Sequence, residues 1–223
     1  WDEAPLSDGT RLRDTQCGLF ATSQVLQRMQ VPFTYLPNCR LEDPVLSRGL
    51  LNFVRVVSVV KAWRGMKIGQ IGQRLDFFWT VMVNEAQLLE RFGIEIFQIY
   101  DEEVADRISK LISAPTEELR ALVERANVEV TPRGMEESQV TAVCALKLVL
   151  GEIAAQEGLS AMALQCGPSL SKRFGIYPCY ANGLLAMEGV PVICETDIMG
   201  AITSALLQAA ALYETPPFFA DMT

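Results

Sequence analysis

Two carboxylates near the end of the chain carry the clearest chemical signal. Glu195 closes the apolar run Val192-Ile193-Cys194, and Asp221 closes Phe218-Phe219-Ala220. Each run reads as a short buried strand, and carboxylates are seldom buried unless they are paired or bind a metal. The stretch between them is long enough for one passage from strand to helix to strand. Such a passage returns the chain to the same end of a sheet, where α/β folds bind their ligands. Two carboxylates converging there would make a divalent metal site or an acid and base pair. Each also has an ordinary account, Glu195 as a strand-end acid in a loop and Asp221 as a turn residue.

The elements that must position these groups follow from periodicity. Residues 14–29 carry Leu19, Phe20, Ser23, Leu26 and Met29 at helical spacing, and Pro32 breaks the pattern before a short strand at Phe33–Leu36. Asp43-Pro44 is a helix start, with Leu46, Leu50, Phe53, Val54, Val57 and Val60 on one face of the helix that follows. A second unit begins near Met66. Strand Lys67–Ile71, the turn Gly72-Gln73-Arg74, an amphipathic helix over Phe77–Phe92 closed by Gly93, and strand Ile94–Ile99 make a β-α-β unit with a parallel crossover.

Helices are expected over Asp101–Ser113 and Thr116–Ala126, with a break at Pro132-Arg133-Gly134. A long helix over Met135–Gln156 turns Val140, Val143, Leu146, Leu150 and Ile153 inward. Ala161–Gln165 is a strand, Cys179–Met187 a helix, Val192–Glu195 a strand and Ile198–Leu212 a helix. Strands alternating with helices predict α/β architecture, with parallel Rossmann-like sheets flanked by helices and more than one α/β unit.

Three polar features have competing accounts. Asp197 is read as the N-cap of the helix at Ile198–Leu212, with a role orienting Glu195 as the lesser alternative. Gln165 ends a strand before Cys166-Gly167-Pro168; its amide could bind a ligand hydroxyl or satisfy loop backbone. Gly69-Gln70-Ile71-Gly72 lacks the full dinucleotide fingerprint, and no acid ends the next strand. It is read as a tight strand-to-helix turn, which argues against a nucleotide-dependent oxidoreductase.

The run CETDIMGAITSALLQAAALYETPPFFAD resembles the metal-site region of the L-fucose isomerase and L-arabinose isomerase superfamily. KIGQIGQR at 67–74, RFGIEI at 91–96 and RFGIYPCYANGLLAMEGVPVICETD at 173–197 resemble the same family. The resemblance is to metal-dependent sugar isomerases, in which two acidic residues and a later histidine hold Mn²⁺, or Mg²⁺ in its place. The acids match Glu195 and Asp221, which the resemblance makes both metal ligands and proton carriers. The histidine has no counterpart, because the chain contains none, so these residues alone are expected to be inactive or nearly so.

The resemblance also implies that Phe78 and Trp79 approach the sugar; core packing on a helix face is an equal alternative. It further implies a homo-oligomer, a trimer or hexamer, with a small-molecule sugar as substrate. The reaction moves a proton between C1 and C2 through an ene-diol, chemistry suited to carboxylates and a hard divalent ion. The rival reading is a non-catalytic sugar-binding or regulatory α/β module.

Composition limits the remaining options. The 223 residues are 50% apolar and carry a net charge of −8, so a core is available and a nucleic-acid footprint is not supported. Six cysteines without C-x-x-C spacing sit in apolar runs and read as buried free thiols of a reducing compartment, the cytoplasm. No uninterrupted apolar run suits a membrane span, so no membrane partner is expected. The chain begins with Trp1 and ends at Thr223, which is read as part of a longer protein. In that reading, residues 1–62 are the C-terminal part of a first α/β domain and 66–212 form a second. Residues 213–223 begin a further catalytic domain.

Overall fold

The structure, a computed structural model, describes residues 5–10, 14–130 and 134–220. It divides into two compact units, Trp1–Val57 and Ser58–Thr223. In the first unit, helix α1 (Thr15–Arg28) is capped by Asp14, whose side chain accepts from the Cys17 N–H. Helix α2 starts at Pro44 and runs to Trp63. Asp43 opens it by accepting the Val45 N–H at 2.8 Å, and Pro44 fits the first turn because no helical partner awaits its missing N–H. The strand expected at Phe33–Leu36 does not form. That segment has no ladder partner among the described residues, and a strand without a neighbour is not stable.

The second unit is built on four parallel strands: β1 (Lys67–Ile71), β2 (Glu95–Ile99), β3 (Ala161–Leu164) and β4 (Val192–Ile193). Their order across the sheet is β2-β1-β3-β4. Ile68 of β1 stands opposite Ile96 of β2 and Ala161 of β3, and Ala163 stands opposite Ile193. The chain first steps outward from β1 to β2, then reverses to β3 and β4. Crossovers of one hand therefore put their helices on opposite faces before and after the reversal.

That segregation is seen in the core. On one face, α3 (Glu85–Phe92) and α9 (Ile198–Ala210) pack Leu88, Ile198, Ala201, Ile202 and Ala205 against Ile68, Ala161, Ala163 and Ile193. On the other lie α4 (Asp101–Ser113), α5 (Glu117–Glu129), α6 (Glu137–Glu157), α7 (Pro168–Phe174) and α8 (Cys179–Met187). Their apolar faces meet Ile71, Ile99, Met162, Leu164 and Val192.

α6 is the centre of this layer. By length and composition it would pass for a membrane span, a possibility the sequence reading did not register. Ten of its residues are instead buried, Val140, Val143, Leu146, Leu150 and Ile153 among them, so it is a core helix. Close packing also fixes Gly69. A Cβ there would lie 2.7 Å from Leu159 Cδ1 and 3.1 Å from Met162 Cγ, closer than carbon atoms tolerate.

Two boundaries differ from the sequence expectation. The helix expected over Phe77–Phe92 begins only at Glu85. Its start is set by Asn84, whose side chain accepts from the Gln87 N–H at 3.1 Å, and Gly93 ends it in the left-handed conformation. The preceding aromatic and β-branched residues, Phe77 to Val81, are weak helix formers and make only a 3-10 turn at Trp79–Val81. The break expected at Pro132-Arg133 lies outside the described residues.

Candidate active site at the carboxyl edge of the sheet

Because all four strands are parallel, their carboxyl ends share one edge. There the chain places Gly72-Gln73-Arg74 after β1, Tyr100-Asp101 after β2, Gln165-Cys166-Gly167 after β3 and Cys194-Glu195-Thr196 after β4. The direction of winding reverses between β1 and β3, the position at which open α/β sheets bind ligands. The loops on either side of this gap are tied together. Gln165 donates its backbone N–H to Ile71 O at 2.9 Å and its side-chain N–H to Gln73 O at 2.6 Å. The Gly72 N–H reaches Ile99 O at 3.1 Å. Gly72 is left-handed, and a Cβ on it would stand 3.0 Å from the Gln165 Cβ, so the loops meet only because this residue is glycine. The Gln165 amide thus serves the loop backbone, the structural one of its two accounts.

Glu195 sits just past β4. The strand expected through Glu195 stops at Ile193, and Cys194–Thr196 form a 3-10 turn. Within it Glu195 has φ 63° and Thr196 φ 55°. Two successive non-glycine residues in the left-handed region are uncommon, and a β-branched threonine there is an outlier that its surroundings must enforce. The turn carries its own restraint: Thr196, buried, donates its hydroxyl to Glu195 O at 2.5 Å. Glu195 is half-buried at the edge, not sealed in the core.

Asp197 follows and caps α9, accepting the Gly200 N–H at 2.9 Å. Asp197→Ala should therefore cost about 1 kcal/mol of stability, read as a lower unfolding midpoint, while Asp197→Asn keeps the cap and should stay within a few tenths. A loss of turnover in Asp197→Asn at unchanged midpoint would show that the carboxylate does more than cap.

The second acid of the expected pair, Asp221, lies outside the described residues. The run leading to it is not a buried strand: Phe218 is 93% exposed, and residues 215–220 form no ladder. With only two residues, β4 offers little edge for another strand to pair with. The segment nonetheless approaches the same end of the unit. Phe219 packs on the first turn of α9, where a Cβ on Gly200 would be 2.9 Å from Phe219 Cε2. A groove of about 310 Å³ runs between α8, β4 and Pro217–Phe219, with Cys194 and Asn182 in its wall. Phe78 and Trp79 lie in the loop and 3-10 turn rather than on a core helix face, Trp79 being 75% exposed. The structure does not join them to Glu195.

Sequence reasoning missed the sulfur chemistry of this edge. The cysteines are unpaired by disulfides, and only Cys144 is buried, where burial pushes its thiol up to about 11. Cys17 and Cys179 are exposed, and Cys39, Cys166 and Cys194 are intermediate, so the expectation of uniformly buried thiols is corrected. Apolar neighbours in sequence do not bury a residue that falls in a loop or at a helix end.

Cys166 lies two residues past β3 and Cys194 directly follows β4, the neighbouring strand. The nearby Cys194 thiol, opposed by burial, holds the Cys166 thiol below its ordinary range, at about 6. The same neighbour, followed by burial, raises Cys194. Asn182, 7% exposed, also points its amide N–H at the Cys194 sulfur, 3.7 Å away. The strand-end positions of both cysteines were readable in the sequence; the lateral register of β3 on β4, which brings them together, was not.

Among the described residues no three Asp, Glu, Cys or His side chains converge where an ion could sit. The described residues alone therefore do not fit a complete Mn²⁺ or Mg²⁺ site. What the edge offers is one positioned carboxylate, a thiol pair and backbone-tied loops.

Fold and edge together define a doubly wound parallel α/β unit with a polar site at its carboxyl end. A family model described as "Fucose/sulfoquinovose isomerase, N-terminal domain" matches residues 1–64. The sulfoquinovose isomerase of Priestia aryabhattai is 27% identical over 212 residues, covering 95% of this chain and 47% of that protein. That of Alkalicoccus urumqiensis is 26% identical over 223 residues, covering 100% of this chain and 49% of its own length. A third, from Clostridium sp. (strain MSTE9), is 22% identical over 221 residues. The chain is related to the fucose isomerase-like proteins, as its motifs indicated, and it spans about half the length of the curated relatives it matches.

Proposed function

We propose that this chain contributes the carboxyl-edge site of an aldose–ketose isomerase of the fucose isomerase type, with Glu195 as the proton carrier. The observation that supports this most is the placement of Glu195. It is a half-buried carboxylate held in an enforced left-handed turn at the carboxyl edge of a doubly wound sheet, in a chain related to sulfoquinovose isomerases. A carboxylate so placed takes the C2 proton of an open-chain aldose and returns it to C1, while the O2 hydroxyl proton passes to O1, leaving a ketose. The loops tied by Gln165 supply backbone edges that a polyhydroxylated substrate can use. Glu195 and Asp221 are the groups the resemblance assigns to Mn²⁺ or Mg²⁺. An ion bound there in the complete protein would stabilise the charge of the ene-diol.

The sulfoquinovose named for the relatives is the first sugar to test, followed by L-fucose and L-arabinose. The complete gene product is incubated with each in D₂O, with Mn²⁺, Mg²⁺ or chelator, and products are followed by NMR. The expected result is aldose–ketose interconversion with solvent deuterium entering at C1 or C2. Saturable sugar binding without interconversion under any condition would overturn the isomerase reading in favour of a binding module.

A further inference from the structure

We propose that Asn182 is a substrate-binding residue, its amide held in the wall of the groove between α8, β4 and Pro217–Phe219 to receive a sugar hydroxyl beyond C2. The inference rests on the reading of Glu195 as the proton carrier and adds a residue to which the resemblance assigns no part.

The placement follows from the winding. α8 leads back into β4, so its first turns stand at the carboxyl edge of the sheet. Cys179, Asn182 and Ala186 fall on one face of α8 and line the groove of about 310 Å³. That volume lies at the small end of ligand pockets and suits a single small molecule. The Asn182 Nδ2–H points at the Cys194 sulfur, 3.7 Å away, and Cys194 directly precedes Glu195. The amide therefore stands one residue from the carboxylate, at a separation a sugar chain can bridge.

Asn182 is 7% exposed, and its Oδ1 accepts from no donor among the described residues. Leaving such a group buried and unpaired weakens a fold. The other buried residues of α8 include Ala181, Leu184 and Leu185, so an apolar side chain would suit this position better if packing were its only task. Turning the amide over would offer Oδ1 to the sulfur and leave Nδ2 unpaired instead. A hydroxyl, donor and acceptor at once, satisfies the amide in either orientation.

The oxygen is shut off from bulk water, so one wall must yield for a ligand to reach it. α8 and β4 are fixed in the core. The segment Pro217–Phe219 is lightly held: Phe218 is 93% exposed, and residues 215–220 form no ladder. A small outward shift of that wall opens the amide to the sugar.

The test uses the complete protein with sulfoquinovose, L-fucose and L-arabinose, and the monodeoxy analogues of whichever sugar binds best. The variants are Asn182→Leu, close to the parent in size, and Glu195→Gln. Without sugar, Asn182→Leu is expected to unfold at the same temperature as the parent or higher. Its KM should rise ~10-fold, the worth of one hydrogen bond to a buried group, with kcat little changed. One deoxy analogue should bind the parent ~10-fold more weakly than the intact sugar, and Asn182→Leu should no longer tell the two apart. Glu195→Gln should lose turnover yet keep its sugar affinity by calorimetry.

A lower unfolding midpoint in Asn182→Leu, or its failure to fold, would overturn the proposal by showing that the amide serves the fold. Unchanged KM and analogue discrimination in that variant would overturn it too. If the parent binds sugar without interconverting it, the isomerase reading fails alone, and the calorimetric affinities of parent and Asn182→Leu still decide the role of Asn182. If no sugar binds at all, both readings fall.

Discussion

If the proposed function holds, replacing Glu195 with glutamine in the complete protein is expected to lower isomerisation by a factor of at least ~10², with the fold intact. The substitution keeps size and hydrogen-bonding reach but removes the basic oxygen, so it separates chemistry from structure. The backbone sharpens the test. Glu195 occupies a left-handed conformation that costs an L-residue roughly 1–2 kcal/mol. Glu195→Gly should therefore leave the unit as stable as, or more stable than, the parent while being equally inactive. A site where the residue that weakens the fold is also the one that turns over substrate has function as the reason for its strain. Near-normal turnover in Glu195→Gln at saturating metal would remove this residue from the mechanism.

Leu146→Ala unfolds the second unit at a markedly lower temperature. Leu146 is fully buried in the middle of α6, inside the larger core cluster. Deleting its isobutyl group removes apolar burial and leaves a cavity that α4, α5 and α8 cannot easily close. The expected loss is about 2–5 kcal/mol, or roughly 5–15 °C in the midpoint for a chain of this size. Val128→Ala provides the control on the adjacent helix α5. Val128 is 82% exposed, and its truncation should stay within about 0.5 kcal/mol. Scanning calorimetry that found similar midpoints for both variants would contradict the placement of α6 as the core of its layer.

The sheet was legible in the sequence because its strands are short apolar runs bounded by glycine or polar turns. β1 and β3 were read nearly to the residue, and their burial on both faces is what a parallel sheet between helix layers requires. α6 was legible from its inward-facing stripe. What failed depended on partners rather than on local pattern. Phe33–Leu36 and Phe218–Ala220 have strand-like composition but no neighbour to pair with.

Phe77–Phe92 carried helical spacing throughout, yet Asn84 recruited the Gln87 N–H and moved the start inward. α7 has no counterpart in the sequence expectation, although Pro168 at its first position is a start signal. At the candidate site, the place of Glu195 beyond a strand end was readable. The left-handed turn that presents it was not, since φ is not written in local composition.

The same sheet order has a consequence for synthesis. β2 follows β1 closely, so those two strands can pair as soon as both emerge from the ribosome. β3, on the other side of β1, comes 93 residues later, the separation of the paired residues Ile68 and Ala161. At ordinary elongation rates, that interval lasts on the order of 5–20 s. For that time the inner edge of β1 has no partner in its own chain, and its Ile68 and Ile71 side chains have only part of their eventual cover. Nascent chains of this protein should therefore be most vulnerable to edge-to-edge association, and most in need of chaperone cover, in that window.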